Sequence, residues 1–154
     1  MKMSKQQPYL STKTFRNLPT THRAWKHDGH CSFIHGYSRE YKFTFACTEL
    51  DERGWVVDFG SLKELKKWLI DHGDHVTLIN QDDPELEFIT KAHLKGIIDL
   101  KVVPNCSCEG MARLALTIAD DLIKKQTKGR AWVQSVECRE NDKNSAIAYN
   151  EIHD

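Results

Sequence analysis

Side chains suited to metal binding or proton transfer are concentrated in one short stretch of this chain, residues 20–38. The stretch holds four of the eight histidines and one of the five cysteines, namely His22, His27, His30, Cys31 and His35. Imidazole is the commonest metal ligand and titrates near neutral pH, and a thiolate is a strong nucleophile or base. The stretch therefore predicts a metal site, a Cys/His catalytic pair, or both. The alternatives are a polar surface loop and a closed zinc site that only holds a loop together.

The spacing of these residues argues against a structural zinc finger. Fingers pair their ligands as Cys-x-x-Cys and His-x3-His, and the nearest approach to this pattern, Cys106-Ser-Cys108, lies far away in the sequence. An open catalytic site is favoured instead.

Composition limits the classes of partner. Lys plus Arg and Asp plus Glu number 22 each, so the balanced charge predicts neither a nucleic-acid partner nor a membrane surface. No apolar run approaches the ~20 residues of a membrane span, and the N-terminus lacks an apolar signal core. An odd number of irregularly spaced cysteines fits reduced thiols. We therefore expect a cytoplasmic protein that binds a small molecule or another copy of itself.

Two strands must position the His/Cys stretch. We expect a flexible leader over residues 1–11 and a single domain over 12–154. Residues 12–21 predict a strand that Pro19 confines to a sheet edge or a bulge, with His22 at its end. Residues 37–49 predict a second strand, which buries Tyr41, Phe43, Phe45 and Cys47 on one face. Since strand side chains alternate, His35 and Tyr37 are predicted to point the same way.

The rest of the chain predicts two helices and a second hairpin. Ser61 and Glu64 have the spacing of a capping box, and the helix after them, with a core stripe of Leu62, Leu65, Trp68 and Leu69, ends at Gly73. Residues 81–106 predict a short helix and an extended segment. Ser107 is the predicted N-cap of a helix to about residue 127, and strands follow over 131–139 and 145–152. The order ββ-α-α-ββ predicts an α+β fold, an antiparallel sheet with helices packed on one face.

Two acidic positions next to these elements are candidates for chemistry. Asp74 and His75 stand directly after the first helix, as a hydrated turn or as a catalytic pair. Glu137 lies between Val136 and Cys138 in a predicted strand, where it faces solvent or meets a partner, because an unpaired buried charge is costly. A carboxylate there has the geometry to accept two adjacent N–H groups of an amino-pyrimidinone ring.

Six short motifs, in order, resemble the family of 6-pyruvoyl-tetrahydropterin and 6-carboxy-tetrahydropterin synthases, which adopt the T-fold. The similarity covers roughly residues 12 to 150. The motifs are Leu-Pro-Thr-Thr-His22, Gly-His-Cys31 with Ile-His35-Gly-Tyr-Ser, Gly54-Trp-Val-Val-Asp-Phe59, Gly-Asp74-His75-Val-Thr-Leu-Ile-Asn80, Cys-Ser107-Cys-Glu109 and Val-Glu137-Cys.

This resemblance implies a zinc-dependent lyase that acts on 7,8-dihydroneopterin triphosphate. It implies that zinc is bound by His22 and His35, that Cys31 is the general base and that Asp74 with His75 forms a second proton-transfer unit. It further implies that the pterin is held by Glu137, with Ser107 and Glu109 at the start of a helix. Family members assemble as a hexamer of two stacked trimers, an oligomeric barrel with sites between subunits.

One departure from the family pattern concerns the third zinc ligand. The family has histidine where this chain has Tyr37, and catalytic zinc usually takes three protein ligands. Three alternatives remain: Tyr37 binds the metal as a phenolate, His30 or His27 replaces it as the ligand, or metal binding is weak or absent. We hypothesise replacement by His30 or His27, because these extra histidines otherwise have no role.

The resemblance favours a 6-carboxy-tetrahydropterin synthase that supplies precursors of queuosine and other 7-deazaguanines. The alternatives are the 6-pyruvoyl product, a side-chain cleavage of dihydroneopterin, or a pterin- or purine-binding T-fold protein without catalysis. Tyr37 favours the last of these, whereas the joint presence of Cys31, Asp74, His75 and Glu137 argues against it.

Overall fold

The structure is a computed structural model that describes residues 6–151. Within this range a six-stranded sheet combines with three helices, which confirms the α+β class. The elements are β1 Tyr9–His22, β2 His35–Cys47, α1 Lys63–Gly73, β3 Val76–Asn80, α2 Leu86–Leu94, β4 Leu100–Val103, α3 Cys108–Thr127, β5 Ala131–Arg139 and β6 Ser145–Tyr149. The strand order across the sheet is β4-β3-β1-β2-β5-β6.

The long antiparallel hairpin of β1 and β2 forms the middle of the sheet. β1 contains a bulge, because the register shifts between Phe15 and Leu18, where Asn17 has a positive φ of 60°. The bulge does not lie at Pro19, which pairs with Ser38 in a strand inside the sheet, so the predicted edge or bulge position of Pro19 is wrong. β1 begins at Tyr9, three residues before its predicted start, so the end of the predicted leader is strand; residues 1–5 lie outside the described range. His22 ends β1 directly opposite His35, which begins β2.

The core lies between this sheet and two helices. The predicted alternation in β2 is confirmed: Tyr41, Phe43, Phe45 and Cys47 are all buried. Helices α1 and α3 each cover these side chains with the apolar residues that the 3.6-residue period places on one side of the helix. The buried residues of α1 and α3 in this core include Leu65, Leu69, Met111, Ala112, Ala115, Leu116, Ala119 and Ile123.

The order ββ-α-α-ββ omitted two strands, β3 and β4. Both pair in parallel, β3 with the end of β1 and β4 with β3, so the sheet is mixed rather than purely antiparallel. These strands have five and four residues, and β3 is buried at four successive positions. A short buried strand shows no alternation of apolar and polar residues, so its period cannot be recognised. The predicted short helix and extended segment within 81–106 correspond to α2 and β4.

The predicted capping box at α1 is wrong. The helix begins at Lys63, after Leu62, and no side chain caps its N-terminus. Ser61 instead donates its hydroxyl hydrogen to the backbone oxygen of Asp58, at 2.6 Å, because residues 59–61 form a 3-10 turn that ends the preceding segment. Gly73 is the last residue of α1, as predicted.

The N-terminus of α3 forms as predicted. The Ser107 hydroxyl accepts a hydrogen bond from the Gly110 amide at 3.1 Å. β6 ends at Tyr149, before the predicted boundary at Ile152, which lies outside the described residues. Among residues 6–151, no helix has the length and apolar character needed to cross a membrane.

Candidate functional site

The sheet brings His22 and His35 together at the end of the β1–β2 hairpin. Their ring centroids are 4.7 Å apart, because the two residues face each other across the antiparallel register. The Nδ1–H of His35 donates to the backbone oxygen of Phe33 at 2.6 Å. This hydrogen bond leaves the Nε2 lone pair of His35 free for a ligand.

His22 is held neutral. Its side chain is buried, and burial, with Arg39 and His35 nearby, lowers its pKa to about 3. Its Nδ1 is buried without a hydrogen-bond partner among the described residues. A neutral imidazole with an unsatisfied buried nitrogen is costly unless a ligand or a water binds it.

Tyr37 completes a cluster of three rings. Its ring centroid lies 5.6 Å from that of His35 and 6.2 Å from that of His22, so His35 and Tyr37 share a face of β2 as predicted. His27 and His30 lie near each other, with centroids 6.4 Å apart. Within residues 6–151, no three His, Cys, Asp or Glu side chains converge to hold a metal ion. The structure therefore places Tyr37, and neither loop histidine, beside the His22–His35 pair.

Cys31 lies half-buried in a 3-10 turn, residues 30–32, within the loop between β1 and β2. The backbone oxygen of Cys31 accepts a hydrogen bond from the Ala24 amide at 2.9 Å, which closes the loop on itself. Two side chains also tie the loop to the segment after β3, because Arg23 binds Asp83 and the Trp25 indole N–H donates to Asp82 at 3.1 Å.

The Arg23–Asp83 pair is the stronger of these two ties. Arg23 Nε and Nη2 each donate to one Asp83 oxygen at 2.7 Å, and the Asp83 side chain is 1% exposed. The hydrogen bond from Arg23 holds the pKa of Asp83 below its usual value, against the opposing effect of burial. A buried bidentate pair of this kind makes the position of the Cys31 loop dependent on Asp83.

We expect Asp83→Asn to lower the free energy of unfolding by about 3 kcal/mol at neutral pH, because it leaves the Arg23 charge half-buried and unpaired. The folded-state pKa of Asp83 is depressed, so its contribution is present above the unfolded pKa of about 3.9 and is lost as the pH falls through the folded value. Urea unfolding at neutral and acid pH measures both effects.

The matched control is Asp99→Asn, which removes an exposed carboxylate 3.6 Å from Lys101 and should change stability by less than about 1 kcal/mol. Equal stability of the two variants at neutral pH would contradict the role of Asp83.

Asp74 and His75 form a hydrogen-bonded pair, with His75 Nδ1–H donating to Asp74 Oδ1 at 2.7 Å. His75 has a φ of 56°, a left-handed conformation that is unfavourable for a side chain with a Cβ. Its backbone amide donates to the oxygen of Pro19 at 2.8 Å, which holds this conformation. Strained residues of this kind are concentrated at functional sites.

A cavity of about 730 Å³ borders both His75 and Tyr37. Its walls come from the end of β1, the starts of β2 and β3, and residues 96–99. His75 and Tyr37 therefore border a common opening.

The start of α3 is fixed by backbone and side-chain contacts. The Asn80 side chain accepts a hydrogen bond from the Cys106 amide at 2.7 Å. A Cβ at Gly110 would lie 2.2 Å from the backbone oxygen of Asn105, so only glycine allows this close approach. These contacts present Ser107 and the exposed Glu109 at the N-terminus of the helix.

Glu137 lies on the other face of the sheet from the His22–His35 pair. It is opposite Lys42 in the register, while its neighbours Val136 and Cys138 are buried in the core. Its carboxylate accepts a hydrogen bond from the Ser145 hydroxyl at 2.9 Å. Within one chain, the structure does not bring Glu137 to the ring cluster.

Sequence reasoning missed several residues that shape the site, namely Arg23, Asp83, Asn80, Gly110 and the buried Arg39. Arg39 carried a signal, since a charged residue stands at a position whose alternation with Tyr41 and Phe43 predicts burial. Arg23, Asp83 and Asn80 act through contacts between segments distant in the chain, for which the sequence offers no signal. Gly110 acts through its close approach to Asn105.

Comparisons with known proteins agree with this fold. The family model for 6-pyruvoyl tetrahydropterin synthase matches residues 11–151. A crystal structure of an uncharacterised protein from Wolinella succinogenes superposes with a TM-score of 0.79 at 24% identity and covers 94% of this chain and 99% of that chain. The 6-pyruvoyltetrahydropterin synthase of Plasmodium vivax superposes with a TM-score of 0.65 at 16% identity and covers 94% of this chain and 99% of that chain.

Curated relatives match a smaller part of the chain. Two proteins named 6-carboxy-5,6,7,8-tetrahydropterin synthase are similar to it. That of Rickettsia typhi is 39% identical over 66 residues, 42% of this chain and 48% of that protein. That of Rickettsia bellii is 36% identical over 73 residues, 47% of this chain and 53% of that protein. The matched part spans about half the length of these relatives. The family model, in contrast, extends over nearly all of the chain, and the chain therefore belongs to the 6-pyruvoyl tetrahydropterin synthase family.

Proposed function

We propose that this protein is a metal-dependent lyase of the 6-carboxy-5,6,7,8-tetrahydropterin synthase type, acting on 7,8-dihydroneopterin triphosphate in the cytoplasm. The observation that carries the proposal is the pair of imidazoles of His22 and His35 on paired strands, with Tyr37 beside them. The names of the Rickettsia relatives support the 6-carboxy product, which is a precursor of queuosine.

The donor set fits a divalent metal ion, and we propose zinc. His22 and His35 supply neutral nitrogens, the Nδ1 of His22 is buried and unsatisfied, and Tyr37 supplies an oxygen. Bound there, the ion would act as a Lewis acid that polarises oxygens of the substrate side chain. His22, His35 and Tyr37 are therefore the proposed ligands.

The remaining residues have distinct proposed roles. Cys31, held in its loop by the Arg23–Asp83 pair, takes a proton from the substrate side chain and so starts loss of the triphosphate. His75 transfers protons on the other side of the substrate. Asp74 fixes the Nδ1–H of His75, which leaves Nε2 to exchange a proton at the cavity that also borders Tyr37. These steps are ordinary general acid–base catalysis.

The pterin ring is proposed to bind at Glu137, with Ser107 and Glu109 shaping the neighbouring helix start. Since Glu137 and the ring cluster lie on opposite faces of one chain, we propose that the complete site forms between copies, in a homo-hexamer of two trimers. The carboxylate of one copy then accepts the adjacent N–H groups of the pterin beside the metal site of another.

The test is incubation of the metal-loaded protein with 7,8-dihydroneopterin triphosphate, with the products identified by mass spectrometry. We expect 6-carboxy-tetrahydropterin, acetaldehyde and triphosphate. The 6-pyruvoyl compound would assign the other activity of the family. Unchanged substrate that binds and protects the protein against thermal unfolding would instead favour a non-catalytic pterin-binding protein, the candidate that Tyr37 supports.

A further inference from the structure

Thr20 is a buried residue of β1 whose hydroxyl reaches a segment far away in the chain. The residue is 2% exposed. Its hydroxyl donates to the backbone oxygen of Gly73 at 2.9 Å, and the backbone oxygen of Leu18 in the same strand lies 3.1 Å away. Because a hydroxyl has one hydrogen, the two carbonyl oxygens share it. The contact with Gly73 joins residues 53 positions apart, at the point where α1 ends.

Two successive residues of β1 hold the segment that contains the Asp74–His75 pair. Gly73 directly precedes Asp74, and its carbonyl oxygen is bound by the Thr20 hydroxyl. On the other side, the His75 amide donates to the backbone oxygen of Pro19 at 2.8 Å. The left-handed conformation of His75 lies within this segment, and such a conformation persists only where the surrounding contacts impose it. The two contacts with β1 are therefore what fixes the pair in place.

The same strand carries a proposed metal ligand. His22 lies two residues after Thr20, and residues two positions apart in a strand point to the same face. The backbone of Thr20 is paired on both sides, with Tyr37 of β2 and with Val76 of β3. The hydroxyl therefore projects from a rigid part of the sheet. It joins the strand that carries His22 to the segment that carries His75.

We propose that Thr20 is a positioning residue, whose hydroxyl sets the place of the Asp74–His75 pair relative to the metal ligands on β1 and β2. The inference rests on the proposed function, in which His75 transfers protons to a substrate held at those ligands. Thr20 acts through Gly73 rather than on the substrate. Proton transfer needs a donor and an acceptor within hydrogen-bond reach, and a displacement of about 1 Å slows such a step strongly.

The hydroxyl is tested by Thr20→Val, which removes it and keeps the volume and the β-branching of the side chain. The Gly73 carbonyl oxygen then lacks its donor. With 7,8-dihydroneopterin triphosphate we expect kcat to fall about tenfold, while KM changes less than about twofold and metal content is unchanged. Thr20→Ser restores the donor and should bring kcat to within about threefold of that of the natural protein.

The matched control is Thr127→Val, at the C-terminal end of α3. The Thr127 hydroxyl donates to the backbone oxygen of Ile123 at 2.7 Å and accepts from the Ala131 amide at 3.1 Å. Its removal also leaves backbone groups without partners, but it does not touch residues 73–75, so kcat should stay within about twofold of the natural value. A fall in kcat as large as that of Thr20→Val would show that lost stability explains both results, and would overturn the proposal.

A second measurement needs no turnover. The nitrogen chemical shifts of an imidazole ring report which nitrogen carries the proton, and the hydrogen bond to Asp74 holds His75 in the Nδ1–H form. Nitrogen NMR of isotope-labelled protein identifies the His75 signals by their absence in His75→Gln. We expect the Nδ1–H form in the natural protein and in Thr20→Ser, and a larger share of the Nε2–H form in Thr20→Val.

Identical His75 tautomers in Thr20→Val and Thr20→Ser would overturn the positioning role, and so would equal kcat values. Circular dichroism checks the fold of each variant. If Thr20→Val misfolds, Thr20→Ala removes the same hydroxyl without the added methyl group, and the same results are expected of it. A protein without lyase activity, whose His75 tautomer still responds to Thr20→Val, would refute the proposed function and leave the positioning of the pair supported.

Discussion

A Cys31→Ala variant is expected to lose about a thousandfold in kcat with 7,8-dihydroneopterin triphosphate while it keeps its fold and its bound metal. Proton transfer by a positioned side chain contributes about 10²–10⁴ in rate, and Cys31 is the proposed base. The thiol is not among the His22, His35 and Tyr37 donors, so its removal should leave metal content unchanged. Steady-state kinetics and elemental analysis on the same preparation measure both quantities.

The matched control for Cys31 is its neighbour Ser32, whose hydroxyl donates to the backbone oxygen of Gly29 at 2.8 Å. Ser32→Ala should retain most of the activity, because it removes a hydroxyl from the same turn without touching the proposed base. Turnover of Cys31→Ala at the rate of Ser32→Ala would assign the base to another residue.

Tyr37→Phe is expected to weaken zinc binding by at least about 100-fold, because even partners of metal ligands contribute about 10–100-fold to affinity. Tyr37→His, which supplies a third imidazole, should bind zinc more tightly than the natural protein. Competition with a chelator, followed by elemental analysis, measures the affinities.

The loop histidines supply the decisive comparison. His27→Ala/His30→Ala should bind zinc like the natural protein, because the structure leaves both imidazoles outside the ring cluster and His27 Nδ1 accepts a hydrogen bond from the Gly29 amide. Loss of zinc in this variant, with full binding in Tyr37→Phe, would show that a loop histidine is the third ligand, as we hypothesised from the sequence.

Much of the local structure could be predicted from the sequence. The alternation of Tyr41, Phe43 and Phe45 identified β2 and its buried face, and the Ser107 cap identified the start of α3. Both patterns involve residues only a few positions apart, so they can be recognised without knowledge of the fold. β3 was missed, and the extended segment that corresponds to β4 was not assigned to the sheet, because the parallel pairing of both strands depends on residues far away in the chain.

For the site, the sequence by itself determined which chemical groups the protein has and how two of them pair. His35 and Tyr37 share a face because strand side chains alternate, and His22 meets His35 once the hairpin closes. Only the tertiary structure decided that Tyr37 and neither loop histidine joins the pair, that Asp83 holds the Cys31 loop, and that the Arg39 side chain is fully buried. Contacts between distant segments depend on how whole elements pack, and residue types and spacing do not encode that packing in any local pattern.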